Sequence, residues 1–440
     1  MHKRNYLALL LALFLLLSAC SVPKEENPDD AAAAEAESPA DIAGTPEEAP
    51  EPVEEPEEEP VEEPAAPQYL LPAWDEALPS LWESFDGLFK VGAAVNTDQL
   101  KPDTDFYRTV TKHYNVFVTE NEMKPMYVNP AEGTFNFTAP DQFVAFGEEV
   151  GATLRGHTLI WHSQAPDWWF RGSGENGRAT REELLSRMET YITEVMTRYQ
   201  GRVAVWDVVN EAFSDQGKGL RMEDEGSQYA AIIGDLDGDG NLNDYIEQAF
   251  YLADAADPDA QLIINDYSLE NGDAKLDSFY ESVKGMLEKG VPIDGAGIQA
   301  HIQIGWPSVA TFEKAIEKLA SLKEYNPDFK VQITELDVSI FAWDDQSKIK
   351  EMTPQLQAEL ATRYADLFDM FRRQAEKGNL DMVVTWGVYD GRSWLDNYPV
   401  SGRVNAPLLF DRQMNAKPAF WGVVDRTKIP DACAEVQTAQ

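Results

Sequence analysis

The chain has 440 residues and a formal net charge of -41 at pH 7, so it has room for one large domain and additional segments. This charge excludes a nucleic-acid partner, because binding to phosphate groups requires a basic surface. The two cysteines, Cys20 and Cys433, are too few for a framework of disulfide bonds. An acidic surface with 11 tryptophans suits a neutral, polyhydroxylated ligand that stacks on aromatic rings, although most of the tryptophans are expected in the core.

The first 20 residues have the pattern of an export signal. A basic start is followed by an apolar run from Tyr6 to Leu17, which is too short to span a membrane as a stable helix. The run ends in Leu17-Ser18-Ala19-Cys20, which resembles the lipobox of bacterial lipoproteins, where the cysteine thiol becomes lipid-modified. We therefore interpret residues 1–20 as a lipoprotein signal peptide with Cys20 as the lipidation site. An ordinary secretory signal is the alternative, and in both cases the protein is exported.

Residues 21–66 form a low-complexity segment of Glu, Pro and Ala. It has too few apolar residues to form a core, so we predict a disordered linker. Proline and the repulsion between like charges extend such a chain, which at the polyproline rise reaches on the order of 140 Å. We interpret the segment as a stalk that holds an extracellular domain away from the outer or cell membrane carrying its lipid anchor. An acidic interaction tail is the alternative.

From Tyr69 onward, short β-rich runs alternate with amphipathic helical stretches, which predicts an α/β fold, a (β/α)8 TIM barrel, over residues 67–428. The predicted strands are 89–95, 115–119, 153–161, 203–209, 261–265, 295–300, 330–333 and 382–386. The predicted helices include 181–199, 244–255, 276–289, 309–322 and 354–377. A doubly wound sheet is disfavoured, because no Gly-rich phosphate fingerprint follows the first strand. Residues 429–440 are predicted to be a polar C-terminal tail in which Cys433 is unpaired.

Two apolar, strand-like runs end in carboxylates. Glu211 follows the run from Val205, and Glu335 lies in the run from Val331 to Val338. Catalytic residues of an α/β barrel lie at such C-terminal strand ends. A site with two carboxyl groups is the arrangement used for glycoside hydrolysis.

Polar or aromatic residues also follow the other predicted strands, and together they would face one cavity. One such residue alone would be explained as a helix cap, but polar groups at seven consecutive strand ends are hard to explain in this way. These residues are Glu120, Asn121, Lys124, His157, Trp161, His162, Gln164, Asn265, Asp266, Tyr267, Gln299, His301, Asp337, Trp386, Asp390 and Trp394.

Five segments together resemble the family 10 glycoside hydrolases, chiefly endo-1,4-β-xylanases. The resemblance extends from about Leu88 to Ala419, and the family fold is a (β/α)8 barrel. The segments are Glu120-Asn121-Glu122-Met123-Lys124, the run from Arg155 to Gln164, Trp206-Asp207-Val208-Val209-Asn210-Glu211, Ile333-Thr334-Glu335-Leu336-Asp337 and Trp386-Gly387-Val388-Tyr389-Asp390.

The resemblance implies that Glu211 is the general acid/base and Glu335 the nucleophile of a retaining mechanism, which needs carboxyl groups about 5–5.5 Å apart. It also implies that His301 and Asp337 orient and tune the nucleophile. The residues expected to bind substrate are Glu120, Asn121, Lys124, His157, Trp161, Gln164, Asn210, Tyr267, Gln299, Trp386 and Trp394.

No cofactor is expected to take part in catalysis. Catalytic zinc is disfavoured because no His-Glu-x-x-His spacing occurs, and a serine hydrolase because no Gly-x-Ser-x-Gly elbow occurs. An inserted loop after the fourth strand matches the first half of an EF-hand calcium loop, although Ile246 stands where a bidentate Glu is expected. A structural calcium ion or a solvated acidic turn are both compatible with this loop. Its candidate ligands are Asp235, Asp237, Asp239 and Asn241.

We therefore expect an endo-acting enzyme that hydrolyses β-1,4-xylosidic linkages, with xylan and xylo-oligosaccharides as its partners. A hydrolase of cellulose or mixed-linked glucan on the same barrel is one alternative. A lipid-anchored protein that binds glycans without cutting them is another, although a pure binder gains nothing from a paired acid and nucleophile.

Overall fold

The computed structural model describes residues 68–439 of the chain. The predicted signal peptide with Cys20 and the predicted linker of residues 21–66 lie outside the described residues, so both stay predictions. Among the described helices, none combines the length and the apolar character that a membrane crossing requires.

The fold is a closed barrel of parallel strands, as predicted, in which neighbours along the chain are neighbours in the sheet. The barrel closes because the first strand pairs with the last, and because the sixth strand segment pairs with the eighth. The strands are β1 (Lys90–Val95), β2 (Val116–Thr119), β3 (Thr153–Trp161), β4 (Val205–Asn210), β5 (Gln261–Asp266), β6 (Gly295–Ile298), β7 (His301–Gln303), β8 (Lys330–Ser339) and β9 (Leu380–Thr385).

The nine segments occupy eight barrel positions, because β6 and β7 are two parts of one strand. Both pair with β8, where Gly295 lies opposite Lys330 and His301 lies opposite Asp337. The break falls at Ala300, whose φ of 62° is in the left-handed region that few non-glycine residues adopt. The sixth barrel strand is therefore interrupted between Ile298 and His301.

Helices follow the strands and cover the outside of the barrel. They are α1 (Asp105–His113), α2 (Pro125–Val128), α3 (Thr138–Val150), α4 (Arg181–Tyr199), α5 (Tyr229–Ile233), α6 (Asp244–Ala256), α7 (Ala274–Glu288), α8 (Val309–Ala320), α9 (Pro354–Glu376), α10 (Pro418–Val424) and α11 (Ile429–Ala439). Their first residues follow local capping rules. Thr180 and Glu183 form a reciprocal capping box at the start of α4, and Thr353 caps α9 ahead of Pro354.

A buried ion pair lies inside the barrel, below the strand ends. The Arg155 Nε donates to Asp207 Oδ2 at 2.9 Å, and a second guanidinium nitrogen contacts the other carboxylate oxygen. The Arg155 guanidinium also donates to Gln332, whose amide continues the network to Gln261. Because a buried charge is tolerated only when it is paired and hydrogen-bonded, this network fixes β3, β4, β5 and β8 relative to one another.

The C-terminal residues differ from the prediction of a tail, because they form α11 and pack on the barrel. Ile429 is buried against Ala361 of α9, with Cys433 partly buried beside it. Burial raises the pKa of the Cys433 thiol. Glu435 accepts hydrogen bonds from three consecutive backbone N–H groups, of residues 68–70, at 2.6–3.1 Å. The folded domain therefore extends beyond residue 428, and α11 ties its two ends together.

The acidic loop that carries the candidate calcium ligands, residues 235–243, connects α5 and α6. Its first carboxylate, Asp235, accepts hydrogen bonds from the backbone of Gly238 and Gly240 at 2.6 and 2.9 Å. Carboxylate oxygens of Asp235, Asp237 and Asp239 lie within 4.8 Å of one another, a donor set that suits a hard cation.

A cation from the chain itself already lies in this loop. The Lys289 ammonium is 2.9 Å from Asp237, 2.6 Å from Asp239 and 3.0 Å from Glu247. Hydrogen bonds from Lys289, together with those from Asn241, lower the pKa of Asp239. A calcium ion bound between these carboxylates would therefore compete with the ammonium group.

Replacement of this ammonium should make the stability of the domain depend on calcium. In Lys289→Gln, Asp237, Asp239 and Glu247 lose a common cation, and millimolar calcium should raise the melting temperature by about 2 °C or more relative to chelator. The wild type should respond less, and Lys284→Gln in helix α7, which ends just before Lys289, should behave as the wild type. Equal melting temperatures of Lys289→Gln with calcium and with chelator would refute a calcium site in this loop.

Candidate active site

The two predicted catalytic glutamates are presented by opposite sides of the barrel mouth. Glu335 lies within β8 and is only 4% exposed, whereas Glu211 follows β4 directly and is partly exposed. Glu211 has a φ of 54°, in the left-handed region, which turns the chain sharply at the end of the strand. Such strain at a non-glycine residue costs roughly 1–3 kcal/mol and is tolerated where the surroundings hold it in place.

Glu335 is held by one hydrogen-bond donor on each carboxylate oxygen. The Asn265 Nδ2 donates to Oε1 at 2.9 Å, and the His301 Nε2 lies 3.2 Å from Oε2. Burial alone would raise the pKa of Glu335. The hydrogen bond from His301 and the charges of His157 and His301 outweigh burial, so the pKa is lowered. The carboxyl group is therefore ionised at neutral pH.

His301 is in turn held by a second carboxylate. Its Nδ1 lies 3.0 Å from Asp337 Oδ2, and an imidazole that donates from both nitrogens carries a positive charge. Burial lowers the pKa of His301, but Asp337 and Glu335 outweigh it and raise the pKa to about 10. The same Asp337 oxygen accepts a hydrogen bond from the Trp394 Nε1 at 2.8 Å. One carboxylate therefore orients both the His301 imidazole and the Trp394 ring. The structure thus brings His301 and Asp337 into contact with Glu335 and with each other, while their tuning role stays a prediction.

Glu211 is oriented by two side-chain donors. The Trp161 Nε1 donates to Oε2 at 2.8 Å, and the Gln299 Nε2 donates to Oε1 at 3.0 Å. Its partial exposure leaves the carboxyl group open to the cleft. Glu211 can therefore exchange a proton with a bound molecule or with water.

A chain of amide groups links the two glutamates. The Asn265 Nδ2 donates to both Glu335 and Asn210 Oδ1 at 2.9 Å, and Gln299 donates to Asn210 Oδ1 at 3.2 Å and to Glu211. The orientation of the Asn265 amide is fixed, because its Oδ1 accepts the hydroxyl of Thr334 at 2.7 Å. The Asn210 Oδ1 already accepts two hydrogen bonds, so the N–H groups of this amide are available as donors to a ligand.

Asn265 was noted in the sequence only as one of several polar residues at strand ends, and its contact with Glu335 was missed. The residue is fully buried, and its position depends on Gly297 in the neighbouring strand. A Cβ at Gly297 would lie 2.2 Å from the Asn265 oxygen and 2.9 Å from Thr334. Gly297 therefore makes room for the amide that reaches the nucleophile, a requirement that no local motif reveals.

The floor of the site is formed by His157 and Trp386. The His157 Nδ1 lies 3.0 Å from Asp207 Oδ2, so the imidazole rests on the ion pair inside the barrel. Its ring meets Trp386 edge to face at 5.4 Å between centroids. These two contacts fix the His157 imidazole beside Trp386.

Four further predicted residues are brought together beside Trp161. The Lys124 Nζ donates to Asn121 Oδ1 at 3.2 Å and lies 4.9 Å from the centre of the Trp161 ring. Gln164 donates to the same Asn121 oxygen at 3.3 Å. Burial lowers the pKa of Lys124 and raises the pKa of Glu120. This polar group with an aromatic wall is suited to hydroxyl groups of a sugar.

Tyr267 lies beyond Glu211 and is tied to charged groups that the sequence analysis missed. Its hydroxyl contacts the Asp215 carboxylate at 2.5 and 2.6 Å and accepts a hydrogen bond from Arg221 at 2.6 Å. The Lys275 ammonium lies 3.4 Å from the ring centre. The Tyr267 hydroxyl is thus engaged within the protein, and the residue serves more to shape this wall than to donate to a ligand.

The site combines an ionised, buried carboxylate, a second carboxyl group open to the cleft, amide donors and aromatic walls. Within residues 68–439, the carboxylate clusters that could hold an ion are Asp235, Asp237 and Asp239, and Asp237, Asp244 and Glu247, in and beside the acidic loop. The two-glutamate chemistry of glycoside hydrolysis fits the geometry.

Comparison with known proteins agrees with this geometry. Residues 80–426 match the family model described as Glycosyl hydrolase family 10. Endo-1,4-beta-xylanase C of Paenibacillus barcinonensis is 41% identical over 357 residues, which are 81% of this chain and 32% of that protein, so the chain spans about a third of its length.

Endo-1,4-beta-xylanase B of the same organism is 39% identical over 79% of this chain and 98% of that protein. A solved structure of a GH10 protein from Paenibacillus barcinonensis is 42% identical, with a TM-score of 0.77, over 80% of this chain and 99% of the other. The match covers the whole barrel and its strand ends, and the chain belongs to glycosyl hydrolase family 10.

Proposed function

We propose that the protein hydrolyses internal β-1,4-xylosidic linkages of xylan with retention of the anomeric configuration. The observation that carries the proposal is the buried Glu335 carboxylate, kept ionised by His301 and connected to Glu211 through Asn265, Asn210 and Gln299. The names of the related xylanases support xylan as the substrate class.

In the first step, one Glu335 oxygen attacks the anomeric carbon while a protonated Glu211 transfers its proton to the glycosidic oxygen. The bond between the anomeric carbon and that oxygen breaks. The leaving part of the chain departs with a new hydroxyl group, and an ester joins the remaining sugar to Glu335. Glu211 is left ionised.

In the second step, Glu211 takes a proton from a water molecule whose oxygen bonds to the anomeric carbon. The ester bond breaks, and Glu335 is released as a carboxylate. Two inversions at the same carbon give net retention. Because Glu211 is partly exposed and Glu335 is buried, water reaches the site on the side of Glu211.

The remaining groups bind the sugar on the side of the nucleophile. Asn210 donates to the 2-hydroxyl of the reacting xylose, a bond that strengthens as charge develops. Asn121 and Lys124 bind hydroxyls of the next sugar, and the rings of Trp161, Trp386 and Trp394 stack on apolar sugar faces. These side chains converge on one cleft, where hydrogen bonds between them fix their positions.

The proposal includes export and attachment to a membrane through lipid on Cys20, which rests on the sequence pattern alone. In a bacterial host that is fed a radioactive or clickable fatty acid, the wild type should carry the label and partition into detergent. Cys20→Ser should lose both properties, because the thiol is the acceptor. Label on the Cys20→Ser protein, or none on the wild type, would refute lipidation at this residue.

The reaction itself is tested by NMR of the anomeric protons during hydrolysis of β-1,4-xylan. Retention predicts that the β-anomer appears first and later equilibrates, and that Glu335→Ala gives no product. Initial formation of the α-anomer would contradict the two-step mechanism. Xylan left intact while cellulose or mixed-linked glucan is cut would reassign the substrate, and binding of all three without cutting would favour a glycan-binding protein.

Replacement of His301 should move the acidic limb of the pH profile. In His301→Gln the hydrogen bond and the positive charge that lower the pKa of Glu335 are weakened, while burial still raises it. The pKa of Glu335 therefore rises, and the acidic limb of kcat/KM should shift upward by about one pH unit, equivalent to about 1.4 kcal/mol.

The check is a pH series of kcat/KM on a soluble xylo-oligosaccharide, with thermal unfolding as the control for folding. An unchanged acidic limb in a folded His301→Gln protein would show that His301 does not hold the charge of Glu335.

A further inference from the structure

The chain turns sharply after β4, over the three residues from Glu211 to Phe213. Glu211 has a φ of 54°, and such a backbone at a residue with a side chain persists only where the surrounding groups hold it. Two N–H groups of this turn are bound by the end of β5. The Glu211 N–H donates to Asn265 O at 2.9 Å, and the Phe213 N–H donates to the Asp266 carboxylate at 3.1 Å. The neighbouring strand therefore holds one side of the turn.

A single residue, Arg221, binds the carbonyl oxygens on the other side of the turn. Its Nε donates to Glu211 O at 3.1 Å, and a second guanidinium nitrogen donates to Phe213 O at 3.3 Å. Its backbone N–H donates to Ala212 O at 2.7 Å. All three carbonyl groups of the turn are thus bonded to Arg221. The guanidinium group suits this task, because its donors form a rigid, planar fork that a lysine ammonium does not provide.

The Arg221 guanidinium is itself fixed by partners. It is buried, with 5% of the residue exposed, and donates to the Asp215 carboxylate at 3.0 Å and to the Tyr267 hydroxyl at 2.6 Å. The buried Lys275 ammonium lies 3.1 Å from the same Asp215 oxygen and 2.8 Å from Asp266. Because buried charges are tolerated only when they are paired, this network holds the guanidinium group in one place behind the turn.

The position of the Glu211 carboxyl group depends on this backbone. The carboxyl oxygens reach the Trp161 Nε1 at 2.8 Å and the Gln299 Nε2 at 3.0 Å, and both donors lie on other strands or loops of the barrel. A change in the direction of the Glu211 backbone would therefore move the carboxyl group away from both donors. Displacement of a reacting group by about 1 Å reduces a rate about hundredfold.

We propose that Arg221 is a positioning residue for the acid and base of the reaction. By bonding both Glu211 O and Phe213 O, it fixes the strained backbone from which the Glu211 carboxyl group reaches the glycosidic oxygen and, later, the water molecule. Arg221 acts through Glu211 and has no contact with the reacting atoms. This inference rests on the proposed function, in which Glu211 donates a proton to the leaving group.

The test compares two aryl β-xylobiosides that differ in their need for a proton. Phenoxide is a poor leaving group that requires a proton from Glu211, whereas 2,4-dinitrophenoxide departs without one. The variant is Arg221→Lys in the full-length protein, which keeps the positive charge but loses the fork. Its kcat/KM for the phenyl substrate should fall about hundredfold, and its kcat/KM for the dinitrophenyl substrate should change by less than about threefold.

Two further variants keep the test decisive. Arg187→Lys is the matched control, because Arg187 also donates to two backbone carbonyls, of Trp169 at 2.8 Å and of Arg171 at 2.7 Å, outside the turn. It should leave both values close to those of the wild type. Asp215→Asn removes the partly exposed carboxylate that orients the Arg221 guanidinium. It should lower the phenyl value selectively, and it decides by the same criteria if Arg221→Lys does not fold.

Equal losses on both substrates in Arg221→Lys would overturn the inference, because they would assign Arg221 to folding or to binding, and unchanged values on both would overturn it as well. If the wild type hydrolyses neither substrate, the proposed function fails, and a crystal structure of Arg221→Lys decides on the positioning role by itself. A Glu211 carboxyl group that has left Trp161 and Gln299 would then support the role, and one that keeps both contacts would reject it.

Discussion

A carboxylate with 4% exposure remains charged only where the protein replaces the water that it has lost. At Glu335 this replacement consists of an amide on one oxygen and a charged imidazole on the other. The imidazole holds its charge because Asp337 faces its second nitrogen. Removal of the charged imidazole would raise the pKa of the buried carboxyl group and favour its protonated form, which is a poorer nucleophile.

The barrel fold provides these hydrogen bonds to Glu335, because each donor comes from a different strand. Asn265 is next to the last residue of β5, His301 is the first residue of β7 and Glu335 lies in β8, so no single segment could assemble the group. The break at Ala300 and the glycine at position 297 bring the side chains to the correct height in the barrel mouth. Below them, the Arg155–Asp207 pair supports His157 and balances charge in the floor of the site.

The two glutamates differ in their surroundings in a way that suits different tasks. Glu335 is enclosed by fixed donors, which suits the nucleophile that we propose, whereas Glu211 opens to the cleft, which suits the proposed acid and base. Gln299 and Asn210 lie between them and link the orientations of both. A substrate that binds through Asn210 therefore contacts the group that positions both carboxyl groups.

Much of this organisation could be predicted from the sequence, since strand composition locates the barrel and the strand-end position brings Glu211, Glu335, His301 and Asp337 to one face. The contact of Asn265 with Glu335 could not be predicted from the sequence, because it depends on Gly297 in another strand. The ammonium of Lys289 in the acidic loop was also unpredictable, since Lys289 is distant in sequence and carries no motif. The packing of α11 was missed because its apolar face is short and its partner, Ala361, lies on α9.

The central claim is that the fold keeps Glu335 ionised although it is buried. The most direct measurement is a pH titration of the protein labelled with ¹³C at glutamate carboxyl groups, with Glu335→Gln to assign the resonance. A pKa for Glu335 below the ordinary glutamate value of about 4.3 is the predicted result. A pKa above that value would contradict the account, because burial would then outweigh His301 and Asn265.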